Sequence, residues 1–371
     1  MKRLFFPQRS HIPKESAEEM HRVVFILCGL SLLFYVLAGV IPLRQGKEVK
    51  KAMIKASGIM EQSLVALREC RKEKGVAIDK ENDFNETGLI GLKFSPTTTS
   101  LGSLEAKRTA TNPNFAGLIV YLLSRAGVGR GDTIAAGASG SFPSLIVAVL
   151  SGSKAMGLNL LLISSLGASQ WGANNPDFHW LDMQSCLQNI GLFETQPLAL
   201  SLGGEKDTGI DMSAEGRALL RRAAREWGGL FLEEPDLSRN VQIRRHLYEE
   251  YAGEKKIKAF INIGGSWSNL GTDSEVLKIK PGLVQVRYIP AAEKRGVMQE
   301  MALWGMPIIH LLHIKGLCRR YRLPWDPKPL PHPGEGKLYH LASETQPSFF
   351  LLAGGYFLLV VLVIVFRKKI S

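Results

Sequence analysis

The chain has few cysteines, and they lie far apart. Only four occur in 371 residues. Cys28 falls inside a long apolar run, which leaves Cys70, Cys186 and Cys318. An odd number without any CxxC pair excludes a disulfide framework and a zinc site of the finger or ribbon type. One disulfide could form among the three, and the sequence does not say which pair makes it.

Motifs for nucleotides, metals and nucleic acids are missing as well. Neither glycine-rich stretch has the spacing of a dinucleotide fingerprint or a Walker A motif. His310 and His313 lie in an apolar run without a third ligand nearby, which is a weak metal signal. No basic run is interleaved with aromatic residues. We therefore expect no cofactor, no metal ion and no nucleic-acid partner.

Two long apolar runs carry no charge, at Val23–Leu43 and Phe349–Phe366. Each could cross the roughly 30 Å hydrocarbon core of a bilayer as a helix. The first run exceeds the usual h-region of a signal peptide, and no clear A-x-A site follows it. We therefore expect two uncleaved transmembrane helices, at residues 23–43 and 349–366.

The charges that flank these runs indicate the orientation. Cations precede the first run and follow the second, which places segments 1–22 and 367–371 in the cytoplasm. Four further cations come directly after the first run, so the C-terminal cluster decides the orientation. The cations considered are Lys2, Arg3, Arg9, Lys14, Arg22, Arg44, Lys47, Lys50, Lys51, Arg367, Lys368 and Lys369.

The charge between the spans is basic, within a formal net charge of +12 for the whole chain. A basic surface attracts anionic partners such as anionic lipid or an acidic polymer. A solvated surface with a basic bias would give the same composition.

Hydrophobic periodicity predicts the elements between the spans. An apolar stripe at steps of three and four predicts a stalk helix over residues 44–74. Its members are Val49, Met53, Ala56, Met60, Leu64 and Leu67. Residues 75–115 are polar, and we expect loops and short strands there. A Pro-rich stretch within 323–348 predicts a stiff linker to the second span.

Residues 75–322 are expected to form an α/β domain. Strand 133–136, helix 143–156 and strand 158–164 make a βαβ unit, which requires a parallel pair with a right-handed crossover. Further strands are expected at 198–202, 258–263 and 307–313. The expected helices are 115–125, one after the N-cap Ser213, 241–252 and 315–322. Alternating strands and helices predict a three-layer fold with a mainly parallel sheet.

The loop after the first strand is the main candidate site. Gly137, Ser139, Gly140 and Ser141 lie between a strand and a helix, where backbone N–H groups and the helix N-terminus favour an anion. A plain turn with Ser141 as N-cap is the alternative. Ser139 or Ser141 could be a nucleophile, but the G-x-S-x-G elbow lacks its last glycine.

Other polar segments could complete this site. A second glycine-serine loop, with Gly264, Gly265, Ser266 and Asn269, would share a cleft with the first if their strands are neighbours. Lys107 and Arg108 offer a cation pair for a carboxylate, and His179 with Asp182 could be an oriented general base. The remaining candidate ligand residues are Glu105, Asn112, Ser164 and Ser165.

Several segments of the chain resemble a bacterial family, the poly-gamma-glutamate system proteins. The similar segments begin at Leu104-Glu-Ala-Lys-Arg-Thr109, Asn112-Pro-Asn-Phe-Ala116 and Gly137-Ala-Ser-Gly-Ser-Phe-Pro143. They continue with Ser164-Ser-Leu-Gly-Ala-Ser-Gln-Trp-Gly-Ala-Asn174, Trp180-Leu-Asp182 and Asn262-Ile-Gly-Gly265. The resemblance covers roughly residues 85–275.

The resemblance implies an accessory protein of poly-γ-glutamate synthesis or export. It would lie in the bacterial plasma membrane beside the synthase subunits, with its main domain outside the cytoplasm. Such a protein would bind the anionic polymer or act as a scaffold for the complex. Two alternatives stay open: an extracytoplasmic γ-glutamyl hydrolase or transferase using Ser139 or Ser141, and a sensor for a small anion.

Overall fold

The computed structural model describes residues 14–343 and 347–366. The expected cytoplasmic tail 367–371 and most of segment 1–22 lie outside the described residues. The chain divides into two units. One is Val49–Ala342, and the other combines the segments that end at Glu48 and begin at Ser343.

The larger unit is built from helices and strands, several of which end at the site described below. The helices are α1 (Lys14–Glu73, shared with the other unit), α2 (Leu104–Ala110), α3 (Asn114–Arg125), α4 (Pro143–Met156), α5 (Trp180–Asn189), α6 (Ala214–Trp227), α7 (Leu237–Ala252), α8 (Trp267–Leu270), α9 (Val297–Leu303) and α10 (Ile314–Tyr321). The strands are β1 (Thr133–Ser139), β2 (Asn159–Ser165), β3 (Asn174–Asn175), β4 (Phe178–His179), β5 (Ala199–Ser201), β6 (Leu230–Leu232), β7 (Ile257–Ile263), β8 (Gly282–Val284) and β9 (Ile308–Leu311).

The central sheet is mainly parallel. Its order is β6-β5-β2-β1-β7-β9-β8, and only β8 runs antiparallel to its neighbour. In β1, Ala135 pairs with Leu161 of β2, and Gly137 pairs with both Ile163 of β2 and Asn262 of β7. The strand–helix–strand unit β1–α4–β2 is therefore the parallel pair that the spacing predicts.

Helices cover both faces of this sheet, because alternate residues of each strand point to opposite sides. Ala136 and Ala138 of β1 belong to the apolar cluster that includes α3, α4 and the second half of α1. Ala135 belongs to the cluster formed with α7 and α9. The α/β class with helices on both faces is confirmed.

The stalk stripe is buried against the larger unit. Met53, Ala56, Met60 and Leu67 have no exposed surface, and Leu64 is almost fully covered. A disulfide joins Cys70 near the end of α1 to Cys186 in α5, whereas Cys318 is a buried free thiol. The apolar period placed this helix correctly, and the tertiary structure selects the disulfide pair.

The Pro-rich segment packs on the larger unit instead of forming a free linker. Asp326 pairs with Arg108, and the carbonyl of Pro327 accepts a hydrogen bond from Asn85. A 3₁₀ helix over Lys337–Ser343 buries Leu338 and Tyr339. The expected linker 323–348 is thus wrong as far as Ala342, because apolar side chains spaced among the prolines find a core to enter.

Two other local expectations are corrected. Residues 75–115 contribute no strand to either described sheet, and α2 forms there instead. Strand β1 continues through Gly137 to Ser139 rather than ending at Ala136. Gly137 can stay in the sheet because β2 and β7 supply hydrogen bonds on both sides, which outweighs the low strand preference of glycine.

The smaller unit contains a helix that can cross a membrane. Met20–Ala38 is long and apolar enough for this, whereas Phe349–Val365, within α11 (Pro347–Val365), is a shorter apolar helix. Ser31 Oγ lies 2.7 Å from Tyr356 Oη, and the Phe34 and Tyr356 rings stack with centroids 4.5 Å apart. The two apolar helices therefore pack against each other.

The disulfide gives a count of free thiols that can be measured. Protein isolated without reductant and then denatured should react with a thiol reagent at Cys28 and Cys318 only. Maleimide–polyethylene glycol and gel electrophoresis would reveal two additions. Cys186→Ser should release Cys70 and give three additions, and reduction of the wild type should give four. Four additions without reductant would contradict the Cys70–Cys186 bridge.

Candidate functional site

The main cavity lies at the carboxyl ends of the parallel strands. From β1 the chain continues to β2 on one side, while β7 lies on the other side of β1. Such a reversal in strand order opens a crevice where ligands bind in α/β proteins. The cavity has a volume of ≈ 330 Å³ and is lined by residues that follow β1, β2, β5, β7 and β9.

The chain after β1 forms one wall of the cavity. Ser139 Oγ donates to Ser141 Oγ at 3.0 Å and accepts from the Ser141 backbone N–H at 3.2 Å. Ser141 Oγ also accepts from the Ser169 backbone N–H at 2.9 Å. Phe142, not Ser141, is the N-cap of α4, and it makes no side-chain cap. The expected N-cap role of Ser141 is therefore wrong.

Two glycines of this segment serve close packing. A Cβ on Gly140 would lie 2.6 Å from the Leu166 carbonyl oxygen, and one on Gly137 would lie 2.2 Å from Asn269 Oδ1. Neither glycine lines the cavity. Both were expected to admit a ligand to the backbone, but they admit neighbouring protein groups instead.

The loop after β7 forms the facing wall. Strands β1 and β7 are neighbours, and Gly265, Ser266 and Ser139 line the same cavity. A Cβ on Gly264 would lie 3.3 Å from the Ser139 Cβ, which shows how closely the two loops approach. The expectation that both glycine-serine loops face one cleft is confirmed.

Lys107 reaches the cavity from α2. Ser103 caps this helix, accepting a hydrogen bond from the Ala106 N–H at 3.2 Å. The Lys107 ammonium donates to Ser169 Oγ at 2.9 Å and to the Ser141 carbonyl, and it lies 3.7 Å from the centroid of the Phe142 ring. Lys107 is 3% exposed.

No carboxylate within the described chain forms an ion pair with Lys107. The hydroxyl, the carbonyl and the ring supply only partial charges in place of a counter-ion. Burial disfavours the charged form and lowers the pKa of Lys107 to about 7. The cavity wall thus carries a buried amine that can exist with or without its proton near neutral pH.

A buried polar group lies beside Gly137, away from the cavity surface. Asn262 Nδ2 donates to the Gly264 carbonyl at 2.9 Å and lies 3.0 Å from His310 Nδ1. Burial lowers the pKa of His310 to about 4. The Asn269 amide is 1% exposed and has no hydrogen-bond partner among the described residues. Asn269 therefore packs under the site rather than lining it.

Five further expected ligand residues do not line the cavity, in addition to Gly137, Gly140, Gly264 and Asn269. Arg108 pairs with Asp326, and Glu105 is exposed beside Ser103. The two cations of α2 therefore separate, because adjacent helical residues point to different faces. Asn112 caps the Asn114 N–H at 3.0 Å, while Ser164 and Ser165 are buried in β2.

His179 and Asp182 also lie outside the cavity wall. The Asp182 carboxylate accepts from the His179 backbone N–H at 3.0 Å and pairs with Lys74 at 3.0 Å. This places the pair at the N-terminus of α5, where an acidic side chain stabilises the helix. The structure thus brings His179 and Asp182 together, with 3.0 Å between His179 Nδ1 and an Asp182 oxygen, but it places the pair outside the cavity that Ser139 and Ser141 line.

The cavity wall includes residues beyond the main sequence candidates. They are Thr99, Ser169, Asp211 and His313, with the apolar Phe142, Trp267 and Leu312. Ser169 carried a usable signal, because it lies in a polar stretch shortly after a buried strand. Asp211 and His313 lie in no comparable sequence pattern. They reach the cavity because distant parts of the chain meet there. His310 and His313 belong to no metal-binding cluster of the described residues.

Comparison of the chain with protein-family models, curated proteins and solved structures gave no match in any of the three. The resemblance to the poly-gamma-glutamate system proteins therefore stays a prediction. Function has to be inferred from the residues of the cavity wall.

The protonation of Lys107 predicts a pH dependence of stability. Between its folded pKa of about 7 and its ordinary value of 10.5, the unfolded chain binds more protons than the folded one. Stability should therefore rise with pH across this window, by about 2 kcal/mol from pH 7 to pH 9. Lys107→Met should remove this rise, because the variant has no amine to protonate.

Urea unfolding of the full-length protein in detergent, followed by tryptophan fluorescence, would measure this difference. Lys258→Met is a matched control, since Lys258 is exposed near the amino end of β7, at the opposite edge of the sheet. Parallel stability curves for wild type and Lys107→Met from pH 7 to pH 9 would contradict the lowered pKa.

Proposed function

We propose that this protein is a membrane-anchored, extracytoplasmic module whose cavity binds carboxylate groups of an anionic polymer. The observation that carries the proposal is Lys107, a buried lysine without a carboxylate partner in the described chain, at the wall of a polar cavity. An uncompensated buried charge is costly. A bound carboxylate would supply the missing counter-charge and form a charge-assisted hydrogen bond.

The rest of the cavity suits a small acidic group. The hydroxyls of Ser139, Ser141 and Ser169 line it, and its ≈ 330 Å³ volume falls at the lower end of ligand pockets. A segment of a γ-linked glutamate chain has alternating amides and carboxylates, which match donors of this kind. The apolar rings of Phe142 and Trp267 could cover the methylene groups between them.

The choice of poly-γ-glutamate comes from the sequence resemblance. Four of its segments supply cavity residues: Lys107 from the first, Ser139 and Ser141 from another, and Ser169 and Gly265 from two more. Segments far apart in the chain thus meet at one place, which supports a shared ligand. On this proposal the protein assists the synthase subunits during synthesis or export of the polymer.

Two features support the topology in this proposal. Disulfides persist in oxidising compartments, which favours an extracytoplasmic place for Cys70 and Cys186. The contact of Tyr356 with Ser31 and Phe34 gives α11 a partner in the first apolar helix. A second span that packs on the first would return the C-terminus to the cytoplasm, which is the side on which the positive-inside rule places its cations.

Reporter fusions would test this topology. Alkaline phosphatase fused after Gly336 should be active, because it would follow the exported domain. The same reporter at the C-terminus of the full chain should be inactive there, while green fluorescent protein at that position should fluoresce. Alkaline phosphatase activity at both positions would exclude a second span.

Binding of the polymer should depend on Lys107. In equilibrium dialysis of the full-length protein with γ-glutamate oligomers, Lys107→Met should weaken binding about 10-fold or more, the loss expected for a charge-assisted hydrogen bond. Binding should also weaken as pH rises above 7, because Lys107 loses its proton.

Lys258→Met serves again as the control and should bind like the wild type. A small-anion sensor, the alternative, predicts that free glutamate competes as strongly as the oligomers. Equal binding by wild type and Lys107→Met would refute the proposal.

A further inference from the structure

Ser169 and Lys107 form a hydrogen-bonded pair, and among the described residues no other serine hydroxyl of the cavity wall bonds to Lys107. Ser169 follows β2, is 5% exposed and lines the cavity. Its Oγ lies 2.9 Å from the Lys107 Nζ. Among the described residues, no other side chain forms a hydrogen bond with this hydroxyl. A nucleophile and a base within hydrogen-bond reach are the first requirement for nucleophilic catalysis.

Lys107 has the surroundings that a catalytic base requires. A lysine can accept a proton only when it is neutral, and burial away from carboxylates favours the neutral amine. The Ser141 carbonyl and the Phe142 ring fix the position of the Nζ atom. Its pKa of about 7 leaves a large neutral fraction near physiological pH.

Ser139 and Ser141 lack such a base. The Ser139 hydroxyl donates a hydrogen bond to Ser141 Oγ, and Ser141 Oγ accepts one from the Ser169 backbone N–H. Neither hydroxyl bonds to Lys107 or to a histidine within the described residues. The hydrogen bonds of these two serines therefore fix the loop after β1 against the backbone of Ser169.

We propose that Ser169 is a nucleophile activated by Lys107, and that the cavity cleaves amide bonds by acyl transfer. The inference rests on the proposed function only for its substrate class, a γ-glutamyl amide, which reacts when Lys107 is neutral and not paired with a carboxylate. The catalytic pair itself is independent of that choice.

The reaction balances with water as co-reactant. Ser169 Oγ bonds to the carbonyl carbon as its proton passes to the neutral Lys107 Nζ. The carbon–nitrogen bond breaks, and the leaving nitrogen takes that proton, which leaves an ester on Ser169. Water then attacks the ester and gives a proton to Lys107, which returns it to Ser169 Oγ as the carbon–Oγ bond breaks.

Two other titratable groups line the cavity from neighbouring segments. Asp211 follows β5 and accepts from the Glu205 backbone N–H at 3.1 Å, and His313 Nε2 lies 3.0 Å from the Leu277 carbonyl oxygen. On α2 itself, Glu105 bonds to Ser103, and Arg108 pairs with Asp326. Each group has a partner other than Lys107, and each remains in the Lys107 variants, which therefore decide whether the pH dependence comes from Lys107.

A fluorophosphonate probe tests the pair without any assumption about the polymer. The full-length protein in detergent should acquire one adduct on Ser169, located by peptide mass spectrometry, as fluoride leaves. The labelling rate should rise with pH and reach half its maximum at about pH 7. Carboxylate binding should instead weaken across the same range, which separates catalysis from simple binding.

Variants of Ser169 and Lys107 test their roles as nucleophile and base. Ser169→Ala should lose the adduct, and Lys107→Met should slow labelling about 100-fold or more, the usual contribution of a general base. Lys107→Arg keeps the charge but cannot lose its proton near neutral pH, so it should label as slowly as Lys107→Met. Ser238→Ala, on α7 and outside the cavity, should label like the wild type.

An intact Cys70–Cys186 bridge and a cooperative urea transition would show that each variant is folded. An adduct on Ser139 or Ser141, no adduct on Ser169, or equal labelling of wild type and Lys107→Arg would overturn the inference. None of these results would affect binding of γ-glutamate oligomers, so the proposed function stands or fails separately in the dialysis experiment.

Discussion

The hydrogen bond between Lys107 Nζ and Ser169 Oγ joins the two segments that close the cavity. Lys107 comes from a short helix that precedes the sheet, and Ser169 follows its second strand. The amine is buried with only a hydroxyl, a carbonyl and an aromatic ring around it. Because no carboxylate of the described chain neutralises it, its protonation responds to whatever enters the cavity.

The strand order of the sheet determines which loops surround the Lys107 amine. Strand β1 has β2 on one side and β7 on the other, so loops from both directions meet at its carboxyl end. Glycines at 137 and 140 let neighbouring groups approach β1 and the start of the loop closely enough to hold that arrangement. The stalk helix is fastened to the same unit by its apolar face and by the Cys70–Cys186 bridge. The apolar helix segment Met20–Ala38 is thus continuous through α1 with a helix face that packs in the larger unit.

The proposed binding and the proposed acyl transfer would use the two protonation states of one lysine. The protonated amine would attract a carboxylate, and the neutral amine would accept the proton of Ser169. A lysine with a pKa of about 7 on the cavity wall suits both the binding and the reaction, and these respond to pH in opposite directions. This opposition follows from the chemistry of the amine and does not depend on which polymer is bound.

Local patterns in the sequence sufficed for much of the fold. Helix α4 begins and ends where its apolar run and Pro143 indicated, and the stalk stripe is buried as its period predicted. The parallel pairing of β1 with β2 followed from the length of the crossover. Elements with weak local patterns, such as β6, β8 and α9, were not predicted, because tertiary contacts stabilise them.

The sequence by itself therefore determined the apolar helices, the α/β alternation and the loops at the carboxyl edge, since periodicity and turn residues act over short distances. Only the tertiary structure decided which side chains meet. It separated Lys107 from Arg108, took His179 away from the serines, and placed Ser169 beside Lys107. Those contacts depend on strand order and on which helix face is buried, and both are set by the packing of the whole domain.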